Sequence, residues 1–304
     1  MNTAVSKNVT IFSYVIALTF IITMITISVI LNNHQIILPE LAAMAIAMWV
    51  YREAGWIRQP SKIILAPSLT AIIGFTVNLL PIPYVGKVGI TLVLLMLLLR
   101  IIRSNLAPSI ATGLLPVVID VSGLAFVIST IILTFILMLG VLIFRLNEGL
   151  EKNVKVQYKY MLIFVVLNFI WIALIWAVGY PQLAAIPPIL VVVYESLQIP
   201  KYNGKMAFKQ GLVLTVSATV GTLLYFAIDS IILVTLIDMI LMYFLLRIVG
   251  VRIPAVYAFP LLPFIFPDKI VAMLPLGSLI TCVFLFSSVL VYKNLEMKRS
   301  GKAM

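Results

Sequence analysis

The chain has 304 residues, of which 63% are hydrophobic and 10% charged, and its 21 lysines and arginines outnumber 10 acids for a net charge of +11. A mean hydropathy of +1.20 excludes a water-soluble globular protein. The positive charge sits in short loops between apolar runs, a membrane-topology pattern and not a nucleic-acid-binding stripe.

Each backbone N–H and C=O in hydrocarbon must be paired within its own segment, so helices are expected, and the strict alternation of a membrane barrel is absent. The fold class is therefore all-α, a polytopic helical membrane protein with no nucleic-acid partner and the lipid bilayer as its surroundings. Cys282 is a lone cysteine, which excludes an internal disulfide. The run after Thr10 exceeds a signal-peptide core, and no small-residue cleavage site closes it.

In chain order, apolar spans are expected at about residues 10–31, 36–51, 63–80 and 88–102. A long run over 106–144 is split at Asp120 into two. A polar bridge, 145–159, leads to spans at about 160–179, 183–197, 211–227, 231–246, 253–266 and 270–292. With twelve crossings and both termini cytoplasmic, 19 of the 21 basic residues fall inside, and only Lys87 and Lys269 fall outside. Lys7, Lys152, Lys155, Arg299 and Lys302 are among the inside ones. The expected location is thus the cell membrane, multi-pass.

Residues 99–120 and 246–268 both read Leu-Arg-Ile, a second Arg, an interrupting Pro, Leu-Leu-Pro and then Asp. Gly74 lies 25 residues before Leu99, and Gly221 lies 25 before Leu246. Upstream, 41–53 matches 183–195. Three landmarks in one order imply a tandem duplication, with repeats at 1–147 and 160–304 and a cytoplasmic linker at 148–159. Six spans per repeat make the copies parallel. The fifth and eleventh spans are short, about 21 Å of helix against a core of about 30 Å. If these two re-enter, the alternative is five plus five spans in inverted repeats.

Several residues are candidates for a solute site. Asp238 lies mid-span, where an ionisable group is costly and must face protein or water, and suits proton coupling or substrate contact. Its counterpart at the repeat offset of 147 is Thr91. Glu40 and its matched Gln182 open the second and eighth spans near the outer face, each after a proline, and helix capping there competes with an entrance role. Pro108, Pro116, Pro187, Pro188, Pro254, Pro260 and Pro263 break short segments, and irregular backbone at membrane depth survives only where it is buried or lines a cavity. Helix starts there, with Ser109 and Thr112, offer N–H groups to an anion. Arg100, Arg103, Arg247 and Arg252 precede those starts, as an anion-attracting cytoplasmic mouth or as ordinary snorkelling residues. Thr70 and Gly74, matched by Ser217 and Gly221, form small-residue packing faces. His34 reads as a solvated loop residue.

At Leu106-Ala107-Pro108-Ser109-Ile110-Ala111-Thr112-Gly113 the unit resembles the HPP family of integral membrane proteins. That family carries His-Pro-Pro, small residues and Thr at the start of a membrane segment. The preceding small-residue helix, Arg58-Gln59-Pro60 loop and Gly74 helix are similar in order. The chain has no His at either motif, reading Leu106-Ala107-Pro108 and Val251-Arg252-Ile253-Pro254. The same helices resemble the membrane half of the fusaric and aromatic acid exporters. The first resemblance implies small-anion permeation, and both imply a carrier without identifying its cargo.

No metal-ligand cluster, phosphate loop or nucleophile motif is present, so no enzyme, metal or cofactor is expected. The expected function is a transporter or facilitator of a small solute, an inorganic or organic anion, with a site between the repeats near the midplane. The alternative is a non-transporting membrane subunit of an envelope assembly or regulatory system. A second copy of the chain or another membrane protein completes the set of expected partners.

Overall fold

The computed structural model describes residues 7–151 and 156–300. Lys152, Lys155 and Lys302 lie outside the described residues, as do the side chains of Lys7 and Arg299. Helix is the regular structure of the described residues, which contain no strands.

Among the described residues, eight helices are long and apolar enough to cross a membrane. They are α1 (Lys7–Ile30), α4 (Pro60–Asn78), α5 (Tyr84–Ile101), α7 (Ala125–Ile143), α8 (Tyr158–Ala177), α10 (Gly204–Ala227), α11 (Ile231–Val249) and α12 (Asp268–Ser300). Each buries one stripe and leaves the rest apolar and exposed, with Ile101, Leu162 and Ile248 among the most open side chains. That is the surface a helix shows to lipid.

Four shorter segments behave differently. They are α2 (Pro39–Ala45) running into a π turn at Ile46–Val50, α6 (Pro108–Val118), α9 (Pro187–Gln198), and the consecutive 3-10 turns Pro254–Tyr257 and Phe259–Phe264. These are buried on nearly every side. These segments are too short or too irregular to cross hydrocarbon alone, and interrupted backbone at membrane depth is tolerated where protein surrounds it. Proline opens each of them at its first turn, where the missing N–H costs nothing. In the last segment Pro254, Pro260 and Pro263 come so often that regular α-helix gives way to 3-10 turns. The four close a ring: α6 packs on α2 and α9, and the Pro254–Tyr257 turn packs on the same two helices. A four-residue helix α3 (Ala54–Ile57) joins the π turn to α4.

The break expected at Asp120 is present: Asp120 adopts φ +51° between α6 and α7. The second and eighth expected spans are not continuous helices. Short 3-10 turns, His34–Ile36 and Pro181–Leu183, precede α2 and α9.

Two anchors fix the direction of α6. Lys62, at the start of α4, donates to the carbonyl of Ile102, just before α6 begins. Asn78, at the end of α4, donates to Asp120 Oδ1 at 2.9 Å and to Val121 O at 3.1 Å, just after α6 ends. The segment from Ser104 to Val121 therefore runs alongside α4 from one end of that helix to the other. The second half carries the same pattern 147 residues on. Lys209 donates to Val249 O at 2.6 Å, and Tyr225 donates to Asp268 Oδ1 at 2.9 Å beyond the 3-10 segment. His34, expected in solvent, instead ties the two halves through its Nδ1, 3.0 Å from the Phe264 carbonyl oxygen.

Candidate functional site

The ring of short segments encloses a small cavity. Its walls include Glu40 and Ala43 of α2, Pro108 and Ala111 of α6, Pro187, Pro188 and Glu195 of α9, and Ala255 and Ala258 of the 3-10 segment. Trp56 of α3 closes one end. Its free volume is about 10 Å³, room for about one water molecule. No lysine or arginine lines it.

Glu40 is the outstanding group. It is 3% exposed, and neither carboxylate oxygen has a hydrogen bond of normal geometry. Thr112 faces it, but the Thr112 hydroxyl donates to Pro108 O at 3.2 Å, back into its own helix. Thr112 sits midway between Ser104 and Asp120, so Glu40 lies beside the middle of that segment. Its helix α2 begins at Pro39, with Leu38 in the N-cap position. Burying a carboxyl group without a partner is costly, and such groups persist where they are used.

Glu195 enters the cavity from α9, partly accessible and beside the Trp56 indole. Sequence reasoning used it only as a landmark for the repeat. A lone acid inside the apolar run 183–197 was the signal that could have found it. Next to it, Tyr194 donates to Asn105 Oδ1 at 2.9 Å, Asn105 donates to Gln198, and Gln198 donates to Tyr194 O at 3.2 Å. This closed triad ties the loop before α6 to the end of α9. Glu53, in the connection before α3, approaches Glu195 from outside the spanning segments. Desolvation holds Glu53 above the ordinary carboxylate range, opposed by the nearby charges of Arg252 and Arg58.

The remaining expected residues are scattered. Pro108, Pro187 and Pro188 line the cavity; Pro116, Pro254, Pro260 and Pro263 are buried in the ring or its supports without lining it. Ser109 is fully buried with an unpartnered hydroxyl. Asp238 and Thr91 are both fully buried, both unpartnered, and neither lines the cavity. Gln182 sits in its 3-10 turn and reaches Met273 Sδ at 3.8 Å. Of the four arginines, Arg100 lies over the Tyr158 ring at 5.0 Å and Arg247 donates to the Tyr243 hydroxyl at 3.0 Å. Arg103 is exposed at φ +49°, and Arg252 lies near Glu53 and Tyr51. They form no single mouth around the cavity.

Comparison with protein-family models, with curated proteins and with solved structures gives no match for this chain.

Proposed function

We propose that this protein is a membrane carrier that moves a small organic or inorganic anion together with protons through the ring of short segments. The observation that carries the reading is Glu40, buried beside the middle of the Ser104–Val121 segment with no hydrogen bond of normal geometry, where helix starts converge. The starts of α6 and α9 bring the partial positive charge of their N-terminal peptide groups to the same place. An anion gains from those groups only when the neighbouring carboxyl is neutral. A proton on Glu40, and a second on Glu195, removes the repulsion, so proton and anion bind together and leave together. The resemblance to acid exporters and the HPP family points to a carrier, and the latter to small-anion permeation.

The architecture in this reading has twelve crossings in two parallel six-segment repeats. Its support is the course of Ser104–Val121 along the whole of α4, and the recurrence of the Lys62 contact at Lys209. An even number of crossings per repeat gives both copies one orientation, with the bridge 145–159 and both termini on the cytoplasmic side.

The rival reading, a non-transporting membrane subunit, is favoured by the small free volume of the cavity. Purified protein in proteoliposomes separates the two. Uptake of an anion found by thermal-shift screening, driven by an imposed pH gradient and abolished by collapsing it, is the expected result. No flux for any stabilising anion, with a stoichiometric membrane partner co-purifying, decides for the subunit.

A further inference from the structure

A second, larger hollow lies on the flank of the bundle, between α1 and α11. Its volume is about 450 Å³, within the usual span of about 300–1,000 Å³ for small-molecule sites. One wall is the α1 stripe Ile11, Val15 and Leu18, and the other is Ile240 and Phe244 of α11. Four of these are widely exposed, from 47% for Ile240 to 56% for Ile11, so the hollow opens to the bilayer. From Ile11 to Ile21 the groove runs about 15 Å, half of a hydrocarbon core of about 30 Å.

The end of the groove near the start of α1 is polar. Tyr14 and Tyr243 meet edge to face at 5.1 Å, and both line the hollow. Behind them Tyr257, 1% exposed, backs the hollow, and its buried hydroxyl stands close to Tyr14 and Tyr51. Arg247 caps this end from the surface, held by Tyr243 and in no salt bridge among the described residues.

We propose that this groove binds one anionic phospholipid from the leaflet on the Arg247 side. One acyl chain lies along the α1 and α11 stripes, the phosphate meets Arg247, and the glycerol ester region lies against Tyr14 and Tyr243. Length, apolarity, an arginine without a salt bridge among the described residues at the headgroup level and a tyrosine pair just below it match that molecule. The Tyr257 segment also carries Ala255 and Ala258 of the central cavity, so the lipid seats against the outer side of the cavity wall. The assignment stands whether or not the central cavity carries an anion.

Retention of lipid on detergent-purified protein, read by native mass spectrometry after exchange with phosphatidylglycerol or phosphatidylcholine, tests it. The expected result is one retained phosphatidylglycerol, favoured about fivefold over phosphatidylcholine. Arg247→Gln removes the preference, Val15→Trp removes retention of either lipid, and soluble glycerol phosphate does not compete. Equal retention of the two lipids by the unaltered protein, or unchanged preference in Arg247→Gln, overturns the proposal. Arg247 is exposed, so that variant folds and carries the test even where Val15→Trp does not.

Discussion

Gly74 meets Gly113 so closely that a Cβ at position 74 would lie 1.9 Å from the Gly113 carbonyl oxygen, and 147 residues later a Cβ on Gly221 would lie 2.5 Å from the Pro260 Cα. Both contacts are with backbone, so neither can be relieved by a side-chain rotation. These are the points at which α4 and α10 hold a short segment against the centre. Gly74→Ala and Gly221→Ala should each destabilise the protein by at least about 1–3 kcal/mol, as overpacking does. Gly55, with nothing within 4 Å of its Cβ position, is the control. Thermal unfolding in detergent should show lower midpoints for the first two and no loss for Gly55→Ala.

Lys62 and Lys209 each satisfy a carbonyl at the end of the preceding-in-space helix, Ile102 after α5 and Val249 at the end of α11. A cation at a helix C-terminus is favourable, and its hydrogen bond to the carbonyl adds to that. Lys62→Met and Lys209→Met should lower the unfolding midpoint to a similar extent, each by about 1–2 kcal/mol. A loss confined to one of them would contradict equivalent roles in the two halves.

The direction of the short segments sets the topology. A single cysteine at Glu148 in a Cys282→Ser background should resist an impermeant thiol reagent applied to intact cells, while one at Asn32, in the turn after α1, should react. Cys282 itself is buried. Reaction at position 148 from outside would mean an odd number of crossings per half and inverted repeats.

Asp238 lies outside the cavity, paired by position with Thr91, and its carboxyl has no partner. Asp238→Thr removes an unsatisfied buried acid for a residue of similar size that the matching position already carries. It should leave transport unchanged and stability equal or higher by about 1–3 kcal/mol. Measured uptake falling by more than tenfold in a folded Asp238→Thr protein would place Asp238 in the coupling step.

Much of the fold is legible in the sequence because the signals are local. Pro108 and Pro254 mark the starts of the short segments, and Asp120 marks a true break. Gly74 and Gly221 mark close backbone approaches. The pairing of Glu40 with Gln182 was less legible. The small-residue match of 41–53 with 183–195 implies an offset of 142, whereas α2 and α9 start at Pro39 and Pro187, close to the 147 of the other landmarks. Segments buried on every side carry no polar stripe, so nothing in their periodicity fixes register. Glu195 was missed for the same reason: without the register, the sequence does not show which wall of the ring an acid faces.

The buried Glu40 carboxyl is the proposed proton carrier, and proton movement is its most direct readout. Proteoliposomes loaded with a pH-sensitive dye should acidify inside as anion enters down an imposed gradient. Glu40→Gln, which keeps the size of the side chain and removes its titration, should abolish that acidification while the protein still unfolds at an unchanged or higher temperature. Glu195→Gln should weaken the coupling less. Full acidification with Glu40→Gln, at an undiminished rate of anion entry, would contradict the assignment of Glu40 as the proton carrier.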